Sequence, residues 1–529
     1  MFKIISMSYR YLKKYKYKLL IYYLLTLTMS TISIIYPRIM GEFTDVLVDK
    51  NMSGLYTYIL YFTMFNLINL IFTYISGKLY IYIQSQSSYE FNKDINIHVW
   101  NIPLLESSKF DSAYLADRIN NDTNSIVIFS INVIQTVCST IISVIVSSMF
   151  MIKLDKTIFL IAVIACVLYS SIYMLLRKKI YIINRLLMDS KSRFTSRIYE
   201  QLVNIRSVKI HGTYKKNERN LDESFNGLFS NTLSAYNLNY VYSFFDDFIS
   251  QVSSIIFFIY GGVSVIKGDI SLGQYVSLNS YLMVLMSSSA ALFSLAKEIK
   301  LAKVSYDRIC ELTEIEEETN EVIKLKEIDR IKIDLNFSYR KTSKEFQYKT
   351  NLEMGKIYKV SGENGSGKST LLDNIVALHI DTYAGKITYN DTDIKKLDIK
   401  YTRKNMISYI EQNVDVSNIN EVNRLNPKEA SEIISENKLN DLMEISCNKI
   451  IYKESFEKMS GGQKRKIQIY SEILKNANLI ILDEPANDLD RESIECLKKT
   501  LKKMSNKKTT VIVDHTNYFD DIIDEIVYI

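Results

Sequence analysis

The stretch Gly362-Glu363-Asn364-Gly365-Ser366-Gly367-Lys368-Ser369-Thr370 decides how the last part of this chain folds. Its glycines let backbone N–H groups curl around an anion without side-chain clash. Lys368 is long enough to reach outer phosphates, and the Ser369 hydroxyl is a hard oxygen that suits Mg²⁺. A helix starting at the end of the loop turns its positive terminus toward the same anion. The loop therefore reads as a nucleoside triphosphate site between a strand and a helix. Gly362, Asn364, Gly365, Ser366, Gly367, Lys368, Ser369 and Thr370 form its wall.

Further motifs follow in order. Met459-Ser460-Gly461-Gly462-Gln463-Lys464-Arg465 reads as a second backbone anion site opening a helix. The apolar run Leu479-Ile480-Ile481-Leu482 ends in Asp483-Glu484-Pro485, then comes Asn487-Asp488-Leu489-Asp490, then Val513-Asp514-His515. Taken singly, each has an ordinary reading: a turn, the end of a buried strand, a structural histidine. Taken together and in this order, they resemble the nucleotide-binding domain of ABC (ATP-binding cassette) proteins. Tyr339 and Gln412 stand where that family has its adenine-stacking aromatic and its Q-loop glutamine.

The resemblance implies ATP and Mg²⁺ as cofactors, with Ser369, Gln412 and Asp483 near the metal. It implies Glu484 as the general base that polarises the attacking water, and His515 as the group holding the γ-phosphate or that water in line. Lys368 would offset charge on the transferring phosphoryl group. Tyr339 would stack on adenine. Ser460, Gly461, Gly462 and Gln463, with Asp490 of the D-loop, would close over the phosphate loop of a second cassette. This chain carries one cassette motif set, so a partner is implied: a homodimer, or a heterodimer with a sibling half. Departures from the pattern are small. Met459 stands for the usual leucine, Lys453 to Lys458 lacks a glycine common in exporters, and little chain follows His515 for a terminal helical extension.

Toward the N-terminus, six windows carry no Asp, Glu, Lys or Arg: Leu19 to Pro37, Asn51 to Ser76, Thr123 to Ile152, Thr157 to Leu176, Phe248 to Ile266 and Ile270 to Ala296. Each is long enough to cross a bilayer as a helix of ~20 residues. Basic residues crowd one side: Lys3 to Lys18 before the first window, and Arg177 to Arg219 between the fourth and fifth. This places the N-terminus and the cassette in the cytoplasm. The links on that side are long and read as helical continuations of the spans. Short transverse helices are expected around Leu104 to Phe110 and His211 to Tyr214. Pro37 is expected to end or kink the first helix. Asp246 and Asp247, at the start of the fifth window, read either as a charged helix boundary or as acidic groups lining a cavity for a cationic cargo. Leu115 to Asp122, Tyr199 to Arg206, and the glycines Gly261, Gly262, Gly268 and Gly273 resemble the ABC exporter membrane domain.

The fold class expected is an all-α six-helix transmembrane domain followed by an α/β P-loop NTPase cassette with a helical subdomain. The domains are 1–310, an acidic linker 311–327, and 328–529. The chain has 529 residues, 47% apolar and 23% charged, which suits segregation into two environments. The net charge of +6 follows from the basic cytoplasmic side, so no nucleic acid partner is needed to explain it. The five cysteines show no zinc spacing and lie in membrane or cytosolic positions, which argues against structural disulfides. No cleavable leader and no additional domain are expected ahead of the first window. The function expected is an ATP-driven half-transporter in the bacterial cell membrane, exporting a peptide, lipid or amphipathic small-molecule cargo. An ATP-gated channel or sensor, and a soluble-type ABC ATPase, are the alternatives.

Overall fold

A computed structural model describes residues 1–339, 345–380, 382–412, 461–475 and 477–529; at several helix positions, Asp246 among them, only the backbone is described. The chain forms two compact units. One is Met1–Trp100 with Ser108–Ile315, the other Asn101–Ser107 with Glu316–Ile529.

The first unit is helical: α1 Phe2–Leu12, α2 Lys16–Val48, α3 Met52–Asn101, α5 Ser112–Leu154, α6 Lys156–Val203, α7 Ile205–His211, α8 Tyr214–Lys267 and α9 Leu272–Thr313. Five described spans are long and apolar enough to cross a membrane: α1 with α2, α3, α5, α8 and α9. Helix α6 carries the fourth window, where many side chains lie outside the described residues. Most of each long link continues a span, because α3, α5, α6 and α8 extend far into them.

Local chemistry sets the helix ends. Asp111 caps α5 by accepting from the N–H groups of Ala113 and Tyr114, each at 3.0 Å. Asp155 alone separates α5 from α6 and caps the latter through Thr157 N and Ile158 N. Gly268, in the left-handed region at φ 81°, stops α8. Ser271 and Gln274 form a capping box that starts α9. Pro37 does not end the first span, since α2 continues to Val48. Ser277 Oγ, on α9, donates to the Pro37 carbonyl at 3.1 Å.

Asp45, near the end of α2, accepts from Gly273 N at 2.8 Å and Ser271 Oγ at 2.9 Å, so its charge sits on the N-terminus of α9. Gly41 and Gly273 bring α2 and α9 so close that a β-carbon on either would strike the other's backbone. Far from there, Arg308 pairs with Asp122 at 2.9 Å, both side chains about 5% exposed, and Arg118 pairs with Glu311 at 2.5 Å. Arg118 also donates to the Arg308 carbonyl, tying α5 to α9. Glu311 therefore belongs to the last turns of α9 and not to the acidic linker. Its charge is drawn onto the helix by the buried Arg118.

The second unit contains the short helix α4, Leu104–Ser107, whose Leu105 packs on that unit's core. The other interruption of the long links falls at α7 and its left-handed stop Gly212, slightly before the expected His211 to Tyr214. Two sheets follow. β1 Arg330–Ser338, β2 Glu345–Glu353, β4 Ala384–Tyr389 and β5 Thr392–Asp393 form an antiparallel sheet in the order β2-β1-β4-β5. β3 Ile357–Ser361, β6 Ile407–Ile410, β7 Leu479–Asp483, β8 Thr509–Val513 and β9 Glu525–Tyr528 form a parallel sheet in the order β6-β7-β8-β3-β9. Every residue of β7 and β8 is buried, as expected where both faces of a parallel sheet are covered. Helix α10 Lys368–Ile375 packs into the core between the sheets, α11 Ile399–Met406 leads into β6, and α12 Gly461–Leu474 and α13 Arg491–Met504 complete the layer behind the parallel sheet. The helical subdomain expected before the second anion motif lies outside the described residues.

Ile481, in the middle of β7, is fully buried, whereas Ile526 on the edge strand β9 is 48% exposed. Ile481→Ala should cost about 2–5 kcal/mol and Ile526→Ala under about 0.5 kcal/mol. Thermal melting of the cassette in the detergent-solubilised protein checks this ordering.

Candidate functional site

The parallel sheet makes the site. Strands β6, β7, β8 and β3 run side by side in one direction, so their C-terminal ends open on one edge. Ligands of such sheets bind at that edge. β3 leads into the glycine-rich loop, β6 into Gln412, β7 into Asp483 and Glu484, and β8 into Asp514 and His515. Four separate sequence motifs therefore meet because one sheet delivers them.

The loop is held tightly. Gly367 lies at φ 103°, and a β-carbon there would strike Tyr348 and Phe346. Tyr348 donates to the Gly367 carbonyl at 2.9 Å. Lys368 is 9% exposed and donates to the carbonyls of Gly362 and Glu363, at 2.9 and 3.1 Å, closing the loop over itself. Ser366 Oγ is buried without a hydrogen-bond partner. A buried hydroxyl without a partner is costly, and a phosphate oxygen would satisfy it. Tyr339 reaches the same loop, its hydroxyl 3.1 Å from Thr370 Oγ1, with its ring edge-on to Phe337. Ser369 Oγ donates to Asp483 Oδ2 at 3.3 Å. This hydroxyl and carboxylate are the oxygen donors that Mg²⁺ prefers, so the residues fit the metal. Burial pushes the Asp483 carboxyl above the usual carboxylate range; the neighbouring Glu484 charge adds to this, and the Ser369 hydrogen bond opposes it.

One residue on, the backbone turns sharply. Glu484 sits at φ 48°, strain of order 1–3 kcal/mol that a non-glycine residue bears only where the surroundings enforce it. Its N–H is held by the Val513 carbonyl at 2.8 Å. The turn swings its carboxylate away from Asp483. Gln412 Nε2 donates to Glu484 Oε2 at 2.8 Å, Asn487 Nδ2 donates to the same oxygen at 2.6 Å, and His515 Nε2 lies 3.4 Å from Oε1. Gln412, Glu484 and His515, expected to act together, are thus assembled around one carboxylate.

Two contributors were not singled out by sequence. Asn487 was visible only as part of the D-loop run. Arg465 appeared as the end of the second anion motif, yet it is 1% exposed at the centre of the site's scaffold. It donates to the carbonyls of Asp483 and Glu484, each at 3.0 Å, to the Glu411 carbonyl, and to Gln468. Burial lowers its pKa, opposed by the charges of Asp483, Asp488 and Glu484. A guanidinium inside an otherwise ordinary helix was the available signal.

Of the second anion motif, Ser460 lies outside the described residues, as do the side-chain surroundings of Gln463. Gly461 and Gly462 open α12, and a β-carbon at Gly462 would strike the Asp488 carbonyl. Asp490 is the N-cap of α13, accepting from Ser493 N at 2.8 Å, and it pairs with Lys466 at 2.6 Å.

Comparison with known proteins matches both parts of the chain to one family. Residues 19–289, more than half of the chain, match the family model described as the ABC transporter transmembrane region, and residues 347–487 match the one described as ABC transporter. An export ATP-binding/permease protein of Rickettsia bellii is 26% identical over 64% of this chain, which spans 61% of that protein's length. A multidrug resistance-like ATP-binding protein, MdlA, of Buchnera aphidicola is 24% identical over 93% of this chain and 87% of its own length. A solved structure of a bacterial Atm1-family ABC exporter with ATP bound superposes with a TM-score of 0.84, covering 97% of this chain and 93% of that one at 15% identity. At that identity the likeness is one of fold.

The Asp490 cap carries a pH dependence. Its hydrogen bond to Lys466, with those from Ser493, holds its pKa at about 2. The stabilisation is complete above the unfolded value near ~4 and is lost as the pH falls through the folded value. Asp490→Asn keeps a cap but loses this titration. Its cassette should therefore melt with a flatter dependence between pH ~4 and ~2. The pair is half exposed, so the difference at neutral pH should stay under about 1 kcal/mol.

Proposed function

This chain belongs to the ABC transporter family, and we propose that it is one half of an ATP-driven exporter that moves an amphipathic cargo out of a bacterial cell. In this reading the N-terminus and the cassette face the cytoplasm, where ATP is available. Two cassettes, from identical or sibling chains, close over two ATP molecules. Ser460, Gly461, Gly462 and Gln463 of each serve the phosphate loop of the other. Helices α4 and α7, which interrupt the long cytoplasmic extensions, carry cassette closure to the membrane helices.

The roles follow from the residues. Tyr339 stacks on the base. The loop N–H groups, Lys368, Ser366 and Thr370 hold the phosphates. Ser369 and Asp483, with Gln412 nearby, hold Mg²⁺, which when bound offsets phosphate charge. Glu484 accepts a proton from water as the water oxygen bonds to the γ-phosphorus. The bond to the bridging oxygen breaks, and ADP carries away that electron pair. His515 orients the water and the γ-phosphate. Gln412 and Asn487 hold the Glu484 carboxylate in place, and Arg465 positions the backbone that carries it. The observation that most supports this reading is the convergence of Gln412, Asn487 and His515 on Glu484, one residue beyond the carboxylate that meets Ser369.

Glu484→Gln preserves shape and hydrogen bonding but removes the basic oxygen. It should bind ATP as the parent does and lower steady-state hydrolysis in lipid vesicles by about 10²–10⁴-fold. Ordinary turnover by this variant removes Glu484 as the base.

A further inference from the structure

Lys359 stands within β3, between β8 and β9. Its neighbours Tyr358 and Val360 belong to the core between the two sheets. Side chains alternate along a strand, so Lys359 shares the other face with Ile357, which packs with Ile512, Phe519 and Ile522. A lysine is seldom buried unless it is paired. Here the side chain is 12% exposed.

Its ammonium donates to the Thr516 carbonyl at 3.2 Å and to Asp520 Oδ1 at 2.5 Å. Thr516 directly follows His515, whose Nε2 lies 3.4 Å from Glu484 Oε1. The His515 side chain is 47% exposed, so packing alone does not fix it. Its place depends on the turn that carries it. That turn begins where β8 ends, at Val513. Its inner bonds are local: Thr516 N–H to Asp514 Oδ1 at 3.2 Å, the Thr516 hydroxyl to the same carboxylate, and Tyr518 N–H to Thr516 Oγ1 at 3.4 Å. These give the turn its shape, and Lys359 ties it to the sheet. His515 is thus gripped on both sides, by the end of β8 and by the Lys359 bond at the next residue.

Such a clamp is stiff. A hydrogen bond from a charged group is roughly twice as strong as one between neutral groups. Displacing Thr516 would also leave a largely buried charge short of a partner. A neighbouring pair offers a comparison. Lys498 of α13, its side chain 11% exposed, reaches Asp521 at 2.8 Å and Glu495 at 3.1 Å. It fastens the same 3₁₀ turn, Asp520–Ile522, to α13 through side chains.

We propose that Lys359 is a positioning residue for ATP hydrolysis: by holding the Thr516 carbonyl it fixes the turn that presents His515 to Glu484. This rests on the role given to His515 above and names the group that sets its aim. Lys359 acts through His515, and in-line attack is sensitive to such placement, since a shift of about 1 Å can cost ~10²-fold in rate.

The test uses the full-length protein in lipid vesicles with Mg²⁺ and ATP. Lys359→Met keeps a long stem and removes the ammonium. It should lower kcat about tenfold while the half-saturating ATP concentration stays within about twofold of the parent's. Lys359→Arg keeps a charged donor and should return to within about threefold of the parent kcat. Lys498→Met should keep kcat within about twofold of the parent's. A parent-like kcat in Lys359→Met overturns the inference, as does a loss carried by ATP affinity alone. An equal loss in Lys498→Met also overturns it, because a general loosening of the cassette then explains both. So does an arginine variant no better than the methionine one. Should Lys359→Met not fold, Asp520→Asn takes its place; it leaves the ammonium half-paired and should lower kcat about threefold, and an unchanged kcat there sinks the idea. Ordinary turnover by His515→Ala, or none by the parent, removes the reading of the site itself, and this inference falls with it.

Discussion

A buried guanidinium holds the catalytic edge of this protein together. Arg465 reaches from α12 across the ends of β6 and β7 and donates to carbonyls on both. Those strand ends carry Gln412 on one side and Asp483 with Glu484 on the other. Carbonyls at the ends of a parallel sheet have no further strand partner, so something must satisfy them. Using one planar donor for several of them also fixes their spacing. The strained turn at Glu484 persists because it is held on both sides: its N–H by β8, its carbonyl by Arg465. Arg465 belongs to the helix that the second anion motif opens. Any displacement of the start of that helix is therefore felt at the backbone of Glu484.

The cassette was largely legible in the sequence because its chemistry is local. A phosphate loop needs glycines at fixed offsets, and an acidic strand end needs an apolar run before it. Convergence of Gln412, Glu484 and His515 was less open to direct reading; it arises from the strand order β6-β7-β8-β3, which no single segment encodes. Arg465 and Asn487 illustrate what local reading misses. A charged residue on a helix looks solvated until the strand ends it satisfies are known.

In the membrane unit, the spans were legible from missing charge and the helix ends from their caps. Pro37 sits inside α2 without ending it, since the helix runs on to Val48. Glu311, half exposed, pairs with the buried Arg118 within the last turns of α9.

The two helices joined at Gly41 and Gly273 have a mechanical consequence. Backbones in direct contact, with the Asp45 charge clasping the adjoining helix start, leave no slack for sliding. That junction acts as a fulcrum. Swings of α2 against α9 are then smallest beside it and grow toward the opposite ends, so leverage increases with distance from Gly41.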